Sequence, residues 1–304
     1  MSINWWLFGA GAALLGLVVL LRYHHRRRYG TTAPEPVVVL TYHKVQPELE
    51  LGGTWLTPRA FRRQLELIRD ACLPVLALVD YLEALRGDSP PRRGVVLTFD
   101  DGYRSVLEHA RPLLEEFACP ATVFLVTGYA GRPNDWDHSL ARGRSRHLSW
   151  DEARELTASG LVTCGSHGVS HRDLTDLPDG ELERELVESR EAISAELGRT
   201  PECFCYPFGR HDERVRAAVR EAGYHYGIGV VDRAGRGRRD PTALARTGMY
   251  LTDGAAALAV RLGLRHPQRY WAEDLNNRII NWFTLLTAAQ QRRRRRRSTR
   301  ADKP

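Results

Sequence analysis

Val95-Val96-Leu97-Thr98-Phe99-Asp100-Asp101-Gly102 runs from a β-branched apolar stretch straight into two adjacent carboxylates and a glycine. The apolar run reads as a strand buried on both faces, which is the habit of parallel sheets. Two carboxylates at the end of such a strand repel one another in a low dielectric. A bound cation relieves that repulsion. The plainer reading is a turn and helix cap, since Asp-Gly is a turn signal.

The pattern outward from this stretch is regular. Apolar runs at Val37–Tyr42, Val95–Phe99, Ala121–Val126, Leu161–Cys164, Cys203–Tyr206, Tyr226–Val231 and Leu244–Met249 read as strands. Helical patterns at 58–70, 77–86, 104–117, 150–159, 179–198, 211–222 and 252–264 separate or follow them. Such alternation predicts an α/β fold with a mostly parallel sheet, an incomplete or deformed (β/α) barrel of about seven strands over residues 36–265. Sites in barrels of this kind lie at the C-terminal ends of the strands. Residues 128–147 and 232–240 lack periodicity and read as loops.

Three more strand ends carry chemistry. Gly165-Ser166-His167-Gly168-Val169-Ser170-His171 places two histidines at i and i+4, a spacing that one helical turn brings to a common face. Two imidazoles and one carboxylate would leave a tetrahedral ion one open position. Cys205-Tyr206-Pro207-Phe208-Gly209 ends its strand in a rigid turn. Its backbone N–H groups could face a developing oxyanion, or it could be a plain turn. His43, after Leu40-Thr41-Tyr42, is a candidate proton donor to a leaving amine; a structural histidine is the rival. Cys203 and Cys205 share one face of their strand, opposite Phe204, and read as buried structural thiols.

The composition narrows the classes. Of 304 residues, 43% are hydrophobic and 27% charged, which excludes wholesale disorder. Five cysteines make no disulfide scaffold. The net charge of +7 resides at the two ends: residues 22–28 carry four arginines, and residues 292–304 carry seven arginines, one lysine and one aspartate. The stretch between is mildly acidic, so no phosphate-tracking groove and no nucleic-acid partner is expected.

Residues 3–21 are uncharged, and nineteen residues in a helix span about 28 Å, close to a hydrocarbon core. A cleaved signal peptide needs a basic leader and a small-residue cleavage site, and neither is present. Residues 1–28 are therefore expected to form a transmembrane helix with a basic flank in a bacterial-type inner membrane. Arg22, Arg26, Arg27 and Arg28 follow the span, which predicts a catalytic domain on the cytoplasmic side. Unpaired thiols agree with a reducing compartment. Residues 270–291 read as an amphipathic helix, either interfacial or packed on the domain, and 292–304 as a disordered arginine-rich tail. Residues 3–21 and 275–297 are thus the segments expected to meet membrane lipid.

TFDDG at 98–102, SHGVSH at 166–171 and YPFG at 206–209 together resemble the polysaccharide deacetylases, the NodB-homology domain of carbohydrate esterase family 4. LTYHKV at 40–45 and LTPRAFRRQLELI at 56–68 extend the resemblance, which covers roughly 36–250. The early Tyr-His motif is similar to the branch that deacetylates biofilm poly-N-acetylglucosamine. The resemblance implies a divalent metal, usually zinc, held by Asp101, His167 and His171. It implies Asp100 as the general base toward water, the Phe208 backbone N–H as an oxyanion donor, and His43 as the acid that protonates the departing amine. The products would be acetate and a free amino sugar. Many family members carry an arginine three residues before the motif proline, where this chain has Phe204. That departure leaves room for a non-catalytic glycan-binding protein on the same fold. Arg246, on a late strand, would either orient Asp100 or form a structural ion pair.

Overall fold

The computed structural model describes residues 36–48, 50, 53–87, 91–134, 145–230 and 240–264. The expected span at 3–21, its basic flank, the 270–291 segment and the tail lie outside these residues. Among the described residues no helix is long and apolar enough to cross a membrane.

Seven parallel strands close into a ring. They are β1 (Val37–Tyr42), β5 (Gly94–Phe99), β6 (Ala121–Leu125), β7 (Val162–Ser166), β8 (Cys203–Cys205), β9 (Tyr226–Val230) and β10 (Leu244–Gly248). Strand β1 closes the barrel by pairing with β5 along its whole length, Val37 against Gly94 through Tyr42 against Phe99, and with β10 at Leu40 and Thr41. The barrel thus has the seven strands expected, with one extra short strand. That strand, β4 (Val75–Leu76), lies beside the first half of β5, and β6 takes the second half. Two-residue strands β2 (Lys44–Val45) and β3 (Trp55–Leu56) pair separately. Such short pieces carry no periodicity that a sequence pattern could register.

Every residue of β1, β5 and β6 is buried, as their unbroken apolar runs demand. The two faces of each strand have different neighbours. Val37, Val39, Val96, Phe124, Cys203, Cys205, Tyr226 and Ile228 form one inward cluster with residues of α2 (Leu78–Arg86). Cys203 and Cys205 share this face, while Phe204 points outward into Leu182, Leu186, Val215 and Val219. On the outside of β1 and β5, Tyr42, Phe99 and Phe61 pack ring against ring at 5.2–5.8 Å.

The helices obey local signals. Helix α1 (Pro58–Asp70) starts on Thr57, whose side chain accepts from the Ala60 N–H, with proline at the first position. The helix expected at 104–117 runs unbroken over 104–116, with a π turn at Val106–Ala110 leading into α3 (Arg111–Glu116). Helix α4 (Trp150–Thr157) opens with a Ser149–Glu152 capping box. Helix α5 (Asp179–Leu197) stops at Gly198 in a left-handed conformation, α6 (Glu213–Glu221) is capped by Asp212, and α7 (Ala255–Arg261) follows β10.

Gly165 decides one feature of the interior. A Cβ there would come within 2.5 Å of the Phe124 ring and 3.1 Å of the Cys203 carbonyl oxygen. Gly165→Ala is therefore expected to destabilise the protein by about 1–3 kcal/mol through overpacking. Denaturant unfolding of the purified variant would show the midpoint shift.

Candidate active site

Four strand ends converge on one rim. Asp100 and Asp101 follow β5, His167 and His171 follow β7, Phe208 follows β8, and His43 sits between β1 and β2. Asp100, Asp101, His167 and His171 are all buried.

Backbone geometry aims these side chains. Asp101 (φ 68°), His171 (φ 53°) and Phe208 (φ 58°) are three of the five non-glycine residues with left-handed backbone among the described residues. The conformation is unfavourable for residues with a Cβ and persists where the surroundings impose it. Gly102 (φ 67°) continues the turn after Asp101, and a Cβ on it would meet Leu125 Cδ2 at 2.8 Å. The expectation that His167 and His171 share a helical turn is not met. Residues 167–171 form neither helix nor strand, and the chain passes through left-handed Gly168 (φ 81°) and His171. Glycine at 168 and the imposed turn break the helical register, yet both rings still converge.

The convergence is specific. Asp101 Oδ1 lies 3.5 Å from His167 Nε2 and 3.3 Å from His171 Nε2. Ligands about 2.0–2.1 Å from a tetrahedral zinc ion lie about 3.3 Å apart, so the three donors fit such an ion. His167 Nδ1 is 2.7 Å from the Cys205 carbonyl oxygen, which accepts a hydrogen bond from Nδ1–H and leaves the Nε2 lone pair toward Asp101. Burial, then the His171 and Arg246 charges, push the His167 pKa down to about 3, against the pull of Asp100 and of the Cys205 carbonyl. His167 is therefore the neutral imidazole that a metal ligand must be.

Asp100 is held apart from this trio. Arg246, buried on β10, forks onto it with Nη1–Oδ1 at 2.7 Å and Nη2–Oδ2 at 2.8 Å. The same guanidinium donates to Thr98 Oγ1 at 3.1 Å and to Cys205 Sγ at 3.0 Å, and it lies 5.6 Å over the Phe124 ring. The Cys205 thiol in turn faces Asp100 Oδ1 at 3.6 Å. Burial alone would raise the Asp100 pKa. The charge of Arg246, then His167, the hydrogen bonds from Arg246, and His43 outweigh it and hold the carboxyl well below its ordinary range. Arg246 thus makes the contact with Asp100 that the sequence reading left open. Cys205 joins it, which the sequence reading could not place.

The two remaining candidates also reach the site. His43 is half-buried, close enough for its charge to act on Asp100, and its buried Nδ1 makes no hydrogen bond among the described residues. Phe208 stacks edge-on against His171, ring centroids 4.7 Å apart.

Residues 87–227 match the sequence profile of the polysaccharide deacetylase family. That stretch, a little under half of the chain, is similar to a polysaccharide deacetylase domain. A poly-beta-1,6-N-acetyl-D-glucosamine N-deacetylase of Staphylococcus aureus (strain MRSA252) is 24% identical over 193 residues. That alignment covers 61% of this chain and 64% of the relative, so the chain matches rather less than two thirds of the relative's length. The solved structure of IcaB from Ammonifex degensii superposes with a TM-score of 0.62 at 26% identity, covering 75% of this chain and 97% of that one. The Streptococcus pyogenes deacetylase PplD, solved in complex with acetate, gives a TM-score of 0.64 at 19% identity, with 76% and 99% covered. At that identity PplD shares the fold.

The proton balance at His167 has a measurable consequence. An unfolded chain protonates His167 near its ordinary 6.5, whereas the folded chain resists until about 3. Between these values the unfolded state binds more protons, so stability falls as pH falls. Metal-free protein should lose stability as pH drops from 6.5 toward 3, and His167→Gln should flatten that part of the profile. Thermal unfolding across this pH range measures it.

Proposed function

We propose that the protein is a metal-dependent N-deacetylase that hydrolyses the acetamido group of an amino sugar in a polysaccharide or lipid-linked glycan. The observation that carries the reading is the convergence of Asp101, His167 and His171 beside an ionised, separately held Asp100. A divalent ion held by those three side chains, zinc being the best match to two imidazoles and one carboxylate, would supply Lewis-acid polarisation of the acyl oxygen.

The chain's own groups divide the remaining work. Asp100 keeps free lone pairs beyond those engaged by Arg246, and accepts a proton from the attacking water. The Phe208 backbone N–H serves the oxyanion from a turn fixed against the His171 ring. His43 delivers the proton that lets the amine depart, which leaves acetate and a free amino group. The departure at Phe204 no longer argues for a glycan-binding protein without activity. Phe204 packs outward between Tyr206 and Tyr224, and the arginine that meets Asp100 comes from β10.

The test is acetate release from N-acetylglucosamine oligomers by the purified protein. Asp100→Asn should lower the rate by about 100-fold or more, and His43→Ala should do so while leaving bound zinc unchanged. Chelation should abolish activity and added zinc should restore it. Full activity in Asp100→Asn would overturn the proposal.

The same proposal has residues 3–21 spanning a bacterial-type cytoplasmic membrane with the domain on the cytoplasmic side. Its support is the uncharged span followed directly by four arginines. Residues 275–297 would add a second contact with anionic lipid. Exported polymer would then be out of reach, and a lipid-linked or nascent glycan at the inner leaflet becomes the substrate. Fusions of a fluorescent protein and of alkaline phosphatase after residue 270 should give fluorescence without phosphatase activity. The reverse pattern would put the domain outside.

A further inference from the structure

The segment that carries both histidines has no regular structure of its own, so something else must hold it. Part of the answer lies in β6 and the turn after it. His167 N–H donates to the Leu125 carbonyl at 2.8 Å, while the Gly168 and Val169 carbonyls accept from Thr127 and Gly128 at 3.0 and 2.9 Å. The rest comes from below. Helix α5 buries Leu182, Glu185, Leu186, Ser189 and Ile193, a stripe at helical spacing in which a carboxylate occupies a core-facing position.

Burying a carboxylate is costly unless donors surround it. Glu185 finds three. Its Oε2 accepts from the Val169 N–H at 2.7 Å and the Ser170 N–H at 2.9 Å, and its Oε1 accepts from the Ser170 hydroxyl. Two successive backbone N–H groups around one oxygen form a small anion cradle. Gly168 permits the approach, since a Cβ there would stand 2.9 Å from Glu185 Oε2. The cradle lies between His167 and His171, so it constrains both imidazoles at once.

We infer that Glu185 is a positioning residue for the metal site: by clamping the 169–170 backbone it sets the spacing of His167 and His171 and hence the affinity for zinc. The inference rests on the metal reading proposed above. Outer-shell partners of this kind typically change metal affinity by about 10–100-fold.

The experiment measures zinc affinity by chelator competition on the full chain, together with amide hydrogen exchange. Glu185→Gln keeps the shape but removes the charge, so the backbone N–H groups meet only a neutral amide oxygen and an NH₂ replaces the oxygen that accepts from the Ser170 hydroxyl. It should weaken zinc binding by about tenfold or more and speed exchange at residues 167–171, with the barrel strands unchanged. Ser170→Ala removes one of the three donors and should give a smaller loss in the same direction. It decides the matter should Glu185→Gln not fold. Glu188→Gln, on the exposed side of α5 where it pairs with Arg184, should match the wild type in both readouts. Wild-type zinc affinity in both Glu185→Gln and Ser170→Ala would overturn this inference alone. A wild-type protein that takes up no zinc would overturn the metal reading and this inference with it.

Discussion

The buried pairing of Asp100 with Arg246 is the constraint around which the interior is arranged. Neither charge would survive alone inside the barrel, where removing one partner of such a pair costs about 3–5 kcal/mol. The fork geometry satisfies both carboxylate oxygens at 2.7–2.8 Å and fixes which way the carboxyl faces. Its support comes from every side. Thr98 on β5 and Cys205 on β8 take further guanidinium hydrogens, Gly229 on β9 offers its carbonyl at 3.4 Å, and Phe124 on β6 supplies an aromatic face. Gly165 on β7 leaves Phe124 the room it needs. One ion pair therefore engages six of the seven strands.

The division between the two neighbouring carboxylates follows from this. Asp100 continues the strand direction into the barrel and meets the guanidinium. Asp101, one residue on, is rotated by its left-handed backbone toward the imidazoles. Adjacent residues of the same type thus receive different surroundings, one a guanidinium and the other two imidazoles. Such separation of environments is how one site can assign different roles to chemically identical groups.

Much of this was legible in the sequence because it is local. The strand ends at Asp100, His167 and Phe208 are marked by apolar runs that stop at polar or rigid residues, and parallel topology then brings those ends to one rim. Helix α1 over 58–70 was readable from Thr57-Pro58 and its apolar stripe. The helical reading of 167–171 failed because spacing alone cannot register a turn imposed from outside, here by the neighbouring strand and by Glu185. Glu185 itself is disguised among the many acidic residues of α5. Only its place in the buried stripe, with Leu182, Leu186 and Ser189, hints at it. Arg246 and Cys205 lie 146 and 105 residues from Asp100, and such pairings follow from barrel closure rather than from any local pattern. The segments outside the described residues leave the membrane reading where charge and hydropathy put it.

The position of Arg246 on the last strand gives the chain an order of completion. The segment matched by the family profile, 87–227, holds Asp100, Asp101, both histidines and Phe208, but ends before β10. A growing polypeptide therefore presents Asp101, His167 and His171 before the cation that compensates Asp100 has been made. The Asp100–Arg246 pairing forms only when β10 pairs with β9 and β1 and the ring shuts. Closure of the barrel and compensation of the Asp100 charge are therefore one event.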